Sequence, residues 1–153
     1  MDDASVATAF REFYLREHEA QVRRAAIIVR SHEQADDLVH DAMAEVYARW
    51  SEIREPGAYL NRAVLNRCRD SARRAVTHGR LLARFVDRSE RAAPQEPLGD
   101  LFDGLPFNQR AALMLKYYGD LSIAEIAEAL ECPQGSVGPW IDRGLKKLRE
   151  KLS

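Results

Sequence analysis

The chain has 153 residues, 46% of them hydrophobic and 31% charged, so it can bury a core and is not globally disordered. A formal net charge of −1 argues against a generally basic nucleic-acid binder and leaves phosphate contacts to local patches. There is no apolar run of about 18 residues, and the acidic start MDDASVATAF lacks an apolar h-region, so neither a membrane span nor export is expected. The expected location is the cytoplasm. Cys68 and Cys132 lie far apart without a CxxC partner, which fits a reducing compartment better than a disulfide framework. His18, His32, His40 and His78 form no HExxH or Cys/His ligand spacing, so no metal or other cofactor is expected. No nucleophile–base pair or phosphate loop points to an enzyme.

Apolar residues recur at helical spacing and strand signals are nearly absent, which predicts an all-α protein. The first helix is expected over about residues 5–31, continuous or broken near its middle. Val6, Phe10, Phe13, Tyr14, His18, Val22, Ala25, Ala26 and Val29 would form its apolar face. Ser31, with Gln34 three residues on, caps a second helix over about 33–50. Its buried stripe is Leu38, Val39, Ala42, Val46 and Trp50. Glu55-Pro56-Gly57 is a stop signal, and a third helix follows from about 57 to 75 or beyond, with Leu60, Ala63, Val64 and Cys68 inward. LLARFV (81–86) can continue a helix, and RAAPQEPLGD (91–100) reads as a flexible linker. Three more helices are expected at 106–118, 122–130 and within 133–152, the second capped by Ser122 with Glu125 in the capping-box place. The expected organisation is two small helical domains, 1–76 and 104–153, joined by a linker at 77–103.

Charge is unevenly spread. Acids dominate residues 33–55, and Asp37, Asp41 and Glu45 share one helix face at i, i+4, i+8. Bases dominate 62–91, from Arg62, Arg67, Arg69, Arg73 and Arg74 to Arg80, Arg84, Arg88 and Arg91. Two solvated helix faces would account for this, as would a protein partner on the acidic face and nucleic acid on the basic one. Tyr59, Asn61 and Asn66 join the basic helix. Aromatics stack on unpaired bases, amides read base edges and arginines hold phosphate, the mixture that single-stranded DNA needs. Tyr59 would equally serve as a core residue.

LSIAEIAEALECPQGSVGPWIDRGLKKLR (121–149) has helix-turn-helix spacing. Ile123, Ile126, Ala127 and Leu130 pack inward, Cys132 lies in the turn, and Val137 and Ile141 anchor the second helix. In such motifs the N-terminal residues of the second helix reach base edges in the major groove.

Taken together these blocks resemble a bacterial RNA polymerase sigma factor of the extracytoplasmic-function (ECF) family, group IV of the sigma-70 type. ADDLVHDAMAEVYARW (35–50) resembles the helix that docks on the clamp coiled coil of the polymerase β′ subunit. EPGAYLNRAVLNRCRDSARR (55–74) resembles the segment that captures and melts the −10 promoter element, and LPFNQRAALMLKYYGDLSIAEIAEAL (105–130) opens the −35-binding domain. The resemblance implies an initiation factor that binds core polymerase, through the β′ clamp and the β flap, and selects promoter DNA. It places Asp37, Leu38, Val39, His40, Asp41 and Glu45 against the clamp. Tyr59, where the family usually has tryptophan, Asn61, Arg62, Asn66, Arg69, Arg73 and Arg74 would serve the −10 element. The loop 51–57 would shape a pocket for an extruded base, with Pro56 in place of a usual aromatic. Ser136, Trp140, Arg143, Lys146 and Lys147 would meet the −35 element. With no sensory extension expected, control would come from an anti-sigma factor, a helper protein or expression level.

Gly138 and Trp140 stand where the family pattern is commonly basic, and Pro139 lies between them. A helix starting at Pro133 would carry Pro139 in its interior and kink. A later start would leave Pro139 in a tolerated first turn. A distorted or delayed start is expected, with unusual −35 recognition. Two other readings stay open: a stand-alone helix-turn-helix regulator, and a sigma-like decoy or protein-interaction module.

Overall fold

A computed structural model describes residues 2–82, 102 and 104–153, with side chains for 2–74, 102 and 104–153. Among the described residues six α-helices follow in order: α1 (Asp3–Val29), α2 (His32–Ala48), α3 (Pro56–Leu82), α4 (Phe107–Tyr117), α5 (Ile123–Leu130) and α6 (Gln134–Leu152), with a 3₁₀ turn at Trp50–Glu52. Helix α1 is unbroken, and no strand occurs among the described residues. Helix α3 runs through residues 77–82, the first part of the expected linker. Of the remainder of that linker only Phe102 is described, and it is buried; Arg84, Arg88 and Arg91 lie outside the described residues.

The helix ends follow local chemistry. The Asp2 carboxylate accepts the Ser5 amide at 2.7 Å at the start of α1, and Arg30 closes that helix in the left-handed region at φ 61. Ser31 Oγ accepts the Gln34 amide at 3.2 Å and starts α2. Glu55-Pro56-Gly57 acts as a start as well as a stop. Pro56 has no amide proton to leave unpaired in the first turn of α3, and the Glu55 carbonyl accepts the Tyr59 amide at 3.0 Å. Helix α5 opens on a full capping box between Ser122 and Glu125 and ends with Glu131 at φ 54.

In the first half, Ala25, Ala26 and Ile28 of α1 meet Val39, Ala42, Met43 and Val46 of α2 and Leu60, Val64 and Cys68 of α3. Phe10 and Phe13 pack on Trp50 with ring centroids 5.7 and 5.4 Å apart, tying the 3₁₀ turn to α1. His18 stacks on Tyr14 and faces Asp36 at 3.5 Å. In the second half, Leu113 and Met114 of α4 pack with Ile126, Ala127 and Leu130 of α5 and Val137 and Ile141 of α6. Gly144 lets α6 approach α4, because a Cβ there would lie 2.6 Å from Leu113 Cδ1. The halves touch as well: α4 packs on α1, and α5 on α3.

Two expectations change. Helix α6 begins at Gln134, not late, and contains Pro139. Gly138 has no Cβ to collide with the proline ring, which removes the usual bar to a helical residue before proline. Val39 is fully buried on the inner face of α2, so it is core and not a surface for polymerase.

Candidate polymerase and nucleic-acid interface

Tyr59, Arg62, Asn66, Arg69 and Arg73 follow one another at steps of three and four residues, so α3 carries them as one stripe. Asn61 and Arg74 flank it. Arg73 and Arg74 are exposed near its lower end. At its upper end lies a cavity of about 450 Å³ between α3 and the 3₁₀ turn, walled by Arg49, Ile53, Arg54, Tyr59 and Arg62. Glu128 of α5 reaches the same cavity from the other half.

The cavity wall is held from behind. Tyr59 Oη donates to Glu45 Oε2 at 2.5 Å, and Arg49 Nη1 donates to Tyr59 Oη at 3.2 Å. Arg67 Nη2 donates to Glu45 Oε1 at 2.9 Å. These bonds, that of Tyr59 first and then that of Arg67, hold the Glu45 carboxyl below its usual range. The Arg62 guanidinium lies 5.9 Å from the Tyr59 ring centroid. Asn61 is fixed in a similar way: the buried Gln21 of α1 donates through Nε2 to Asn61 Oδ1 at 2.6 Å.

The middle of the stripe is occupied by the second half of the chain. Asn66 Nδ2 donates to Glu131 Oε1 at 3.4 Å. Arg69 Nη2 donates to the Leu130 carbonyl at 3.3 Å, and its guanidinium lies 5.4 Å from the Phe107 ring centroid. In this arrangement both side chains serve the C-terminal end of α5.

On α2, Asp37, His40 and Asp41 are exposed and Leu38 is half-buried, while Glu45 turns toward α3. On α6, Ser136, Trp140, Arg143 and Lys147 share one face, with Lys146 beside it. Arg143, Lys146 and Lys147 are exposed, whereas Trp140 is half-buried and packs against the core. Among the described residues no cluster of metal-ligating side chains occurs, and no helix is long and apolar enough to cross a membrane. Both cysteines are free, and burial pushes the Cys68 thiol up to about 12, far from a reactive thiolate.

Sequence reasoning missed Gln21, Arg49 and Arg67. Each acts by reaching another side chain across a helix pair, and only the placement of Arg49 one turn after Glu45 could have hinted at it.

Comparison with known proteins bears directly on these surfaces. Residues 14–78 match the model for sigma-70 region 2, and residues 95–148 match that for sigma-70 region 4. The chain is 30% identical to the RNA polymerase sigma-E factor of Streptomyces coelicolor over 94% of its own length and 85% of that protein's. It is 31% identical to the ECF RNA polymerase sigma factor SigM of Mycobacterium tuberculosis, over 94% of this chain and 77% of the relative. The chain belongs to the ECF sigma factors.

Two solved structures share its fold. RpoE from Bartonella quintana, crystallised with the anti-sigma factor NepR, superposes with a TM-score of 0.77 at 20% identity, over 94% of this chain and 96% of RpoE. CnrH, solved with the cytosolic domain of CnrY, gives 0.71 at 23% identity, over 97% of this chain and 93% of CnrH. As a sigma factor, the chain directs RNA polymerase to promoters. This sigma factor carries its α3 stripe within the region 2 match, and the region 4 match holds the helix-turn-helix and supplies Glu128 to the cavity.

Proposed function

We propose that this sigma factor recognises and melts the −10 element with the α3 stripe, seating one extruded base in the cavity beside Tyr59. The observation that carries this reading is the stripe itself: an aromatic ring, an amide and three guanidiniums in register, ending at a cavity large enough for a base. Flipping a base costs a few kcal/mol, and a preformed pocket offsets that cost. Tyr59 and Arg62 would stack on bases, Asn61 and Asn66 would read their edges, and Arg69, Arg73 and Arg74 would hold phosphate. Asp37, Leu38, His40 and Asp41 offer the outer face of α2 to the β′ clamp. The segment 1–76 would be the domain for both tasks, and 104–153 the domain for the −35 element and the β flap. The nucleotide chemistry belongs to the polymerase; the chain selects the site, in the cytoplasm where the polymerase works.

The −35 contact would be unusual. Ser136, Arg143, Lys146 and Lys147 remain available for DNA, but Gly138 offers no side chain and Trp140 is partly committed to the core. Point changes in the −35 element should therefore cost less activity than changes in the −10 element. Because α5 caps Asn66 and Arg69, the two halves must part before the stripe can take DNA. Control by a separate anti-sigma factor, the class of partner crystallised with RpoE, fits a chain whose halves already close on each other.

Run-off transcription with purified core polymerase on a genomic promoter library tests the proposal. Specific start sites that share a −10 sequence and are lost in Arg69→Ala support it. Tight binding to core polymerase without transcripts would instead favour the decoy reading.

A further inference from the structure

The acidic stripe of α2 is not uniform. Asp37 and Asp41 face solvent, but Glu45, one turn further, spends both carboxylate oxygens on α3. Oε2 accepts from Tyr59 Oη and Oε1 from Arg67 Nη2. Arg67 is itself anchored, since its Nη1 donates to the Ala63 carbonyl at 3.2 Å. Arg49 Nη1 completes the set by donating to Tyr59 Oη. The phenol thus donates its one proton and accepts another, so its hydroxyl end is held in place by α2. What remains is the ring, which walls the cavity under the Arg62 guanidinium. A phenylalanine here would have no such anchor, and its ring would be held by packing alone.

We propose that Glu45 is a positioning residue for Tyr59, fixing the ring at the cavity wall for stacking on the −10 strand, and is not a polymerase contact. The inference rests on the reading that Tyr59 meets that strand. It also links the helix that faces polymerase to the site that reads DNA. Displacement of α2 moves the carboxylate, and the carboxylate moves the ring.

The test uses the full chain with core polymerase and the substitutions Glu45→Gln, Tyr59→Phe and both together. Three quantities are read: affinity for core polymerase, the rate of −10 melting followed by 2-aminopurine fluorescence, and base preference at each −10 position. Each single change is expected to slow melting about tenfold, a typical coupling for one hydrogen-bond network, and the double change no more than either alone. Base preference should relax at the one position seated against Tyr59, with core affinity unchanged within about twofold. A merely structural tie would lower thermal stability without that positional signature. Should Glu45→Gln fail to fold, Tyr59→Phe, which removes only the hydroxyl, carries the same positional test. Single effects that multiply to about a hundredfold, or a Glu45→Gln variant that loses core affinity while Tyr59→Phe keeps it, would overturn the proposal. Wild-type melting that is insensitive to loss of the Tyr59 ring in Tyr59→Ala would overturn the stacking reading itself, and with it this inference.

Discussion

Replacing Pro139 with alanine should stabilise the protein. Helix α6 starts at Gln134, so residue 139 lies beyond the first turn, and a non-proline residue there would donate its amide to the Gly135 carbonyl. Proline in a helix interior costs about 3 kcal/mol relative to alanine. Two features soften that cost here. Gly138 presents no Cβ to the proline ring. A Cβ at Gly135 or Gly138 would meet nothing within 4 Å, so this turn has open space in which to widen. Position 139 is exposed, and alanine there gives up no core contact. A gain of about 2 kcal/mol remains, which for a chain of this size raises Tm by roughly 4–8 °C. Calorimetry on wild type and Pro139→Ala measures it. Order is a second check: Gly138→Ala should add about 1 kcal/mol once Pro139 is gone, and less while the ring is present to meet the new Cβ. An unchanged or lowered Tm in Pro139→Ala would refute the reasoning, because it would mean that the helix carries no cost at that position.

Ser122→Ala removes the side-chain acceptor for the Glu125 amide and leaves only the backbone half of the capping box, from the residue 122 amide to Glu125, so it should cost about 1 kcal/mol in denaturant unfolding. Gly144→Val drives a side chain into Leu113 and should destabilise the chain by about 1–3 kcal/mol, seen as a lower Tm. Acid should destabilise the fold. The carboxyl of Glu45 is depressed by Tyr59 and then Arg67, and that of Glu125 by the Ser122 backbone and side chain. Both bind fewer protons folded than unfolded, so their contribution is complete above the ordinary carboxylate value of 4.5 and is lost as pH falls through their lower folded values. A Tm–pH series should show the fall, and Glu45→Gln should flatten it. An unaltered slope in that variant would disprove the link.

Much of the fold is legible along the chain because caps and periodicity are local. Ser31 and Ser122 mark helix starts through their own side-chain acceptors, and the inward residues of α1 to α3 follow from the helical period. The α3 stripe is equally local, since Tyr59, Arg62, Asn66, Arg69 and Arg73 share a face whatever lies opposite. Val39 shows where a motif misleads. A block that resembles a polymerase-docking helix includes its inner face as well as its outer one, and 0% exposure puts Val39 on the inner. The start of α6 turned on a contest between proline and the favourable seat of Val137 and Ile141 in the core, which local rules could not decide.

The sequence by itself determined the helices, the two opposed charge stripes and membership in a family of promoter-selecting factors. Those depend on residue order over a few turns. Tertiary structure alone decided that Glu45 belongs to Tyr59, that Gln21 holds Asn61, and that α5 lies across Asn66 and Arg69. Each of these joins side chains far apart in sequence, and helical periodicity says which face a residue occupies but not which helix that face will meet.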